Sequence, residues 1–230
     1  MRCKRRHSWA MAPRDAMALQ ARLALRCAHD AGTPELAAIR LVLGVDVAYS
    51  RRTDRCYAAA VVWDIHARAV VEERCAASPS AYPYVPGLLS FREIPALLPA
   101  LRQVRSTPDA ILCDSQGLAH PRRFGLARHL GWLYGLPAAG CAKSRLIGEY
   151  ENPGLAAGSW SDLRESGEKI GEAARTRFGV KPVFISPGHR MTFERARQIV
   201  FACAGRFRLP EPTRLAHAAT ARAYRAAEFA

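Results

Sequence analysis

Three acidic residues stand at the ends of, or within, apolar runs: Asp46 in Leu-Gly-Val-Asp-Val-Ala-Tyr, Glu93 in Ser-Phe-Arg-Glu-Ile-Pro and Asp114 in Ile-Leu-Cys-Asp-Ser-Gln-Gly. A lysine, Lys143, closes a fourth run in Gly-Cys-Ala-Lys-Ser-Arg-Leu. A carboxylate beside a hydrophobic strand is costly unless it is hydrogen-bonded, paired or bound to a metal. The chain has formal net charge +14. Anions kept beside hydrophobic strands of so basic a chain point to divalent cations working on a polyanion.

Each residue also has a plainer reading. Asp46 could be a strand-end aspartate bonded to a turn, and this segment alone leaves the two readings even. Ser90-Phe-Arg-Glu93 fits a capping box with Ser90 as N-cap. That places Pro95 inside the helix, without the N–H that should reach the carbonyl of Phe91. The preferred reading starts the helix near Pro95 and leaves Glu93 just before it, free to point into a site. Asp114 falls where a parallel strand ends, the place where open α/β sheets gather ligands. His120, Arg122 and Arg123 follow in a loop entering a helix, suited to phosphate contacts or to solvation. Lys143, with Ser144 and Arg145, ends the next strand. His217, among alanines near the start of the last helix, is by its surroundings alone more simply structural.

These residues need elements to position them. At 230 residues with half of them apolar, the chain suits one globular domain. Residues 1–13 read as a loose basic arm before a single domain over 14–230. A helix is expected over 15–31, stopped by Gly32, then three strands at 40–49, 56–65 and 68–76 joined by short links, an antiparallel meander. Tyr82-Pro-Tyr-Val-Pro-Gly87 is a rigid loop. Helix to about Arg105, strand 109–114, helix 123–134 and strand 137–142 follow, an alternation implying parallel strands. Residues 151–166, with Trp160, read as a Gly/Ser-rich loop, 167–186 as an extended pair, and 192–203 and 212–226 as closing helices. The fold class is α/β: a ribonuclease H-like mixed sheet, three antiparallel strands then parallel ones, flanked by helices.

The pattern excludes several classes. No apolar run approaches the roughly 18–20 residues that span a bilayer, and no secretory h-region follows the basic N-terminus. The seven cysteines are scattered, with no CxxC pair, which fits a reducing cytoplasm and argues against zinc or a disulfide framework. No G-x-S-x-G, P-loop or dinucleotide glycine motif is present.

Taken together, six segments resemble the endonuclease V family of inosine-directed nucleases. They are Gly44-Val-Asp-Val-Ala-Tyr49, the segment Pro83 to Glu93, Asp114 with Gln116 to Gly125, Gly140 to Leu146, Lys181 to His189 and Pro212 to His217, in the family's order. The resemblance implies magnesium-dependent cleavage, with manganese as a substitute, on the 3′ side of deoxyinosine at the second phosphodiester bond. It assigns the metal to Asp46, Glu93 and Asp114, and supporting catalytic roles to Lys143 and His217. Pro83, Tyr84, Val85, Pro86, Gly87 and Leu88 match the strand-separating wedge, and His120, Arg122, Arg123, Ser144 and Arg145 are the expected nucleic-acid backbone contacts. The expected partner is deoxyinosine-containing DNA, or inosine RNA, bound by a monomer. One departure is Ser115, where the family usually has glycine; a positive φ there would strain a serine. A non-catalytic inosine-binding module and a nuclease for inosine RNA or other DNA structures stay open beside this reading.

Overall fold

The computed structural model describes residues 1–27, 31–80 and 82–228. A nine-stranded mixed sheet forms its centre. Strands β1 (Leu41–Ser50), β2 (Arg55–Asp64) and β3 (Ala69–Pro79) form the expected antiparallel meander. Parallel to β1 runs β4 (Ala110–Cys113), and parallel to β4 runs β5 (Ala138–Ala142). The sheet then continues antiparallel through β9 (Val183–Pro187), β8 (Glu168–Ala174), β7 (Trp160–Glu165) and β6 (Glu149–Tyr150), giving the order β3-β2-β1-β4-β5-β9-β8-β7-β6.

Helices cover both faces, as the doubly apolar β2 requires. One face packs Leu43, Val45 and Val47 under α2 (Leu89–Gln103) and α3 (Leu126–Tyr134). The other packs Val42, Leu112 and Ile185 against α4 (Phe193–Ala202), and Ala59 and Val61 against α5 (Glu211–Glu228). Because side chains alternate along a strand, Gly44 and Asp46 share the α5 face of β1.

Three expectations need correction. Helix α2 begins at Leu89, so Glu93 lies within its second turn, and Ser90 is not the N-cap; Leu88 is, without a side-chain cap. Pro95 and Pro99 both sit inside the helix. Each interior proline costs roughly 3 kcal/mol. Phe91, Ile94, Leu97 and Leu101, all fully buried, offset this at about 1.5–3 kcal/mol apiece. Tertiary burial therefore overrode the local signal. Secondly, residues 1–13 are not loose. The N-terminal ammonium donates to the carbonyls of Leu101 and Val104, Lys4 and Arg5 donate through their amides to the Leu133 carbonyl, and His7 meets the buried His129 at 2.7 Å. Thirdly, Trp160 opens strand β7, so the 151–166 stretch is only partly loop. Helix α1 (Pro13–Arg26) ends earlier than expected, and residues 28–30 of that expectation lie outside the described residues.

Candidate active site

Strand ends bring the chemistry together. Asp114 directly follows β4 and Lys143 directly follows β5; since these strands are parallel neighbours, both residues emerge at the same sheet edge. Lys143 Nζ lies 2.6 Å from Asp114 Oδ2. Asp46, one strand over, accepts hydrogen bonds at Oδ2 from Thr220 Oγ1 (2.8 Å) and His217 Nδ1 (3.0 Å). Both donors stand on one face of α5, three residues apart.

Gly44 explains how α5 comes so close. A Cβ built there would fall 2.2 Å from the carbonyl oxygen of Pro212 and 2.3 Å from its carbonyl carbon. Only a glycine lets the first turn of α5 lie on β1, and that contact sets His217 and Thr220 over Asp46, two residues along the same face.

Glu93 completes the trio electrostatically. Burial pushes its carboxyl up to about 8, and the negative charges of Asp46 and then Asp114 add to the rise against the opposing pull of Arg92. Glu93 therefore feels both aspartates across the site. Carboxylate oxygens are the hard donors that magnesium or manganese prefers, so the donor chemistry fits such an ion. Among the described residues no three His, Cys, Asp or Glu side chains already converge closely enough to hold a metal ion; Asp114 is engaged by Lys143, and Asp46 by His217 and Thr220.

A cavity of about 400 Å³ opens beside Asp114, lined among others by Tyr84, Gly87, Ser90, Gln116, Lys143 and Ser144. Its rim carries the 83–88 corner. Pro83, Tyr84 and Pro86 are exposed, Tyr84 by 71%, whereas Leu88 is buried. Arg92 spans from the ring of Tyr49 (4.3 Å) toward that of Tyr84 (5.9 Å), tying the corner to β1.

His120 and Arg122 have work other than the phosphate contacts expected of them. The Gly87 carbonyl accepts from His120 Nε2 (3.0 Å), Arg122 Nη2 (2.7 Å) and Gln20 Nε2 (3.1 Å). Gln20 in turn accepts from Arg122 Nε at 2.7 Å. Gly87 has φ +77°, the left-handed conformation that suits glycine. The His120 Nδ1 accepts from the Arg122 amide, which fixes the neutral tautomer with Nε2–H. Burial first, then the Arg122 charge, takes its imidazole down to about 4. These side chains hold the corner in place. Arg123 is paired with Glu168 at 2.8 Å. Ser144 and Arg145 remain exposed on the cavity wall, Arg145 donating to the Gly148 carbonyl at 2.6 Å.

Ser115 adopts no positive φ, so the strain that a serine would suffer there does not arise. It is buried, with its Oγ lacking a hydrogen-bond partner among the described residues. Sequence reading missed Thr220 and Arg92. Thr220 stands three residues after His217, a spacing that puts both on one helix face; nothing in the segment alone says that the face meets Asp46.

The sequence model of the family described as Endonuclease V matches residues 22–218. The chain belongs to the endonuclease V family. It is a nuclease accordingly, and its relatives are similar along nearly their whole length. Endonuclease V of Roseiflexus sp. is 47% identical over 211 residues, 91% of this chain and 92% of that protein. The crystal structure of endonuclease V from Streptomyces avermitilis superposes with TM-score 0.90 at 43% identity over 96% of both chains. A Ciona intestinalis endonuclease V, bound to a 23mer DNA containing an inosine followed by a ribo-adenosine, gives TM-score 0.84 at 26% identity, covering 95% of this chain and all of that one. The endonuclease V neighbours share the ribonuclease H-like fold expected from the strand order.

Proposed function

We propose that this endonuclease V nicks nucleic acid on the 3′ side of deoxyinosine, at the second phosphodiester bond, using magnesium with manganese as a substitute, in the repair of deaminated adenine. The observation that supports the reading is that Glu93, on α2, feels the charges of both Asp46 and Asp114, and that Asp114 lines a cavity rimmed by the exposed Tyr84. The inosine in the strand bound by the Ciona relative supports the choice of lesion.

Asp46, Glu93 and Asp114 would hold the metal, which when bound supplies Lewis-acid stabilisation of the phosphoryl oxygens and an activated water. The chain's own residues do the positioning. Thr220 and the Nδ1 side of His217 fix one oxygen of Asp46, leaving its other oxygen available. The ring of His217 is largely exposed, so its Nε2 is placed to orient a water or meet a product phosphate. Lys143 neutralises Asp114 in the resting site and offsets charge on the phosphoryl group during cleavage. Products are a 3′-hydroxyl and a 5′-phosphate.

Recognition requires that the base leave its stack, and a mispaired inosine lowers that cost of a few kcal/mol. Tyr84, exposed on a corner held by His120, Arg122 and Gln20, is the side chain placed to fill the vacated space. Pro83, Val85 and Pro86 stiffen it.

A second reading, cleavage of inosine-containing RNA, draws support from the ribonucleotide following inosine in the Ciona complex. A panel of matched DNA, inosine DNA, inosine RNA and branched DNA, with end-mapping of products, tests both. The expected result is magnesium-dependent nicking confined to inosine DNA, one nucleotide 3′ of the lesion; preferential cleavage of inosine RNA or of branched DNA would overturn it.

A further inference from the structure

A second concavity, about 710 Å³, adjoins the first and shares its wall at Lys143, Ser144 and Arg145. Five cations line it: Lys143, Arg145, Arg175, Lys181 and Arg208; no acidic residue does. Among the described residues, Lys143 alone of these is paired with a carboxylate, Asp114. Arg175 and Arg208 are held by neutral groups. Arg175 Nε donates to the Pro153 carbonyl at 3.1 Å and Nη2 to Asn152 Oδ1 at 3.1 Å, while a further bond from Nη1 reaches the Val180 carbonyl. Arg208 Nη2 donates to the carbonyls of Lys143 (2.5 Å) and Pro182 (2.7 Å), and its buried Nε has no partner among the described residues. Arg145 bonds to a backbone carbonyl, and the exposed Lys181 has no ion-pair partner among the described residues.

Bonds to carbonyls fix a guanidinium without cancelling its charge, and cations gathered in a concave site focus a positive potential. Tyr150 lines the same groove, its ring packed edge-on with Phe184 (5.1 Å between centroids) and the Arg145 guanidinium 5.9 Å from its centroid. We propose that this groove is the track for the single strand leaving the reaction centre, with Lys181 and Arg208 contacting backbone phosphates on one side of the scissile bond and the buried Arg175 adding positive charge behind them. The proposal rests on the nucleic-acid reading of the site. It adds a phosphodiester-binding surface on β9 and the loop between β8 and β9, remote from the wedge corner in the chain.

Lys181→Ala is the cleanest probe, because the side chain is exposed and supports no other residue. Binding of fluorescent single strands bearing one inosine is read by anisotropy, without divalent metal, across a salt series. Three strands are compared: long flanks on both sides, a short 5′ flank and a short 3′ flank. Lys181→Ala should weaken binding of the long strand several-fold and reduce the slope of log K against log salt by about 0.7, the loss of one phosphate contact on a single strand. Shortening one particular flank should abolish the difference between variant and wild type, and Lys181→Arg should restore wild-type behaviour. An unchanged slope, or an equal effect of Lys181→Ala on all three strands, would overturn the groove. If the wild type shows no preference for inosine, the proposed function fails; the same slope change and flank dependence on an inosine-free strand would still support the track.

Discussion

At the scale of single residues, the site depends on a few hydrogen bonds made to charged groups. Thr220 Oγ1 to Asp46 is one, and a bond to a charged group contributes about 1.5–3 kcal/mol. Thr220→Val keeps the shape and removes the donor, so the melting temperature should fall by several degrees and kcat/KM for nicking roughly 10-fold or more, as Asp46 loses a bond that orients it. A variant with wild-type kcat/KM would remove Thr220 from the account. Tyr84 makes a different contribution. Stacking on a base is worth about 1–3 kcal/mol, so Tyr84→Ala should cost at least several-fold on an inosine duplex and less on an inosine single strand. Equal losses on both would count against its role as a wedge. The carboxylates themselves were legible in the sequence, because an acid beside an apolar run stands out. Thr220 was not, since a threonine in an alanine-rich helix carries no signal until α5 is seen lying on β1. From the sequence, His120 and Arg122 look like phosphate ligands, because loop cations before a helix look alike; only the Gly87 carbonyl between them reveals that they brace the corner.

Among the elements, β1 and α5 form the critical pair. Gly44→Ala puts a methyl group into the Pro212 backbone, a contact that nothing flexible can relieve. Overpacking of this kind typically costs about 1–3 kcal/mol, or ~2–12 °C in melting temperature for a domain of this size. Activity should fall further than stability explains, because α5 carries both partners of Asp46. A thermal melt and a nicking assay on the same preparation test this; loss of stability with full residual activity would show that the α5 partners do not matter. The meander and the parallel strands were readable from apolar runs and short links. The start of α2 was not, because Pro95 and Pro99 argue locally for a later start, and only the burial of Phe91, Ile94, Leu97 and Leu101 against the sheet reverses that. Strand β7 hid in a stretch of glycines and serines for a similar reason: it is held by pairing with β8 rather than by its own composition.

For the whole molecule, several buried ionisable groups set an acid limit. His120 and His189 are held down to about 4 by burial, and the fully buried His129 lies well below its ordinary range. A histidine held neutral in the fold takes up its proton more readily unfolded. The stability these histidines contribute is therefore complete above about pH 6.5 and declines as pH falls toward 4, where the unfolded chain binds more protons. Glu72, whose carboxylate accepts from the amides of Arg105 and Ser106 and pairs with Arg74, is held at about 2 and adds a further loss between about 4.5 and 2. Denaturant melts at pH 7, 5.5 and 4 should show midpoints falling at each step; a flat series would mean these groups stay solvated. Among the described residues no helix is long and apolar enough to cross a membrane.

In the proposed function, Asp46, Glu93 and Asp114 hold the metal used for nicking beside inosine. The most direct test compares wild type with Asp46→Ala on a deoxyinosine duplex, with and without magnesium, measuring nicking and binding on the same preparations. The expected result is nicking by wild type only with magnesium, nicking abolished in the variant, and duplex binding largely retained. Nicking by Asp46→Ala at the wild-type rate, or by wild type in a metal chelator, would contradict it.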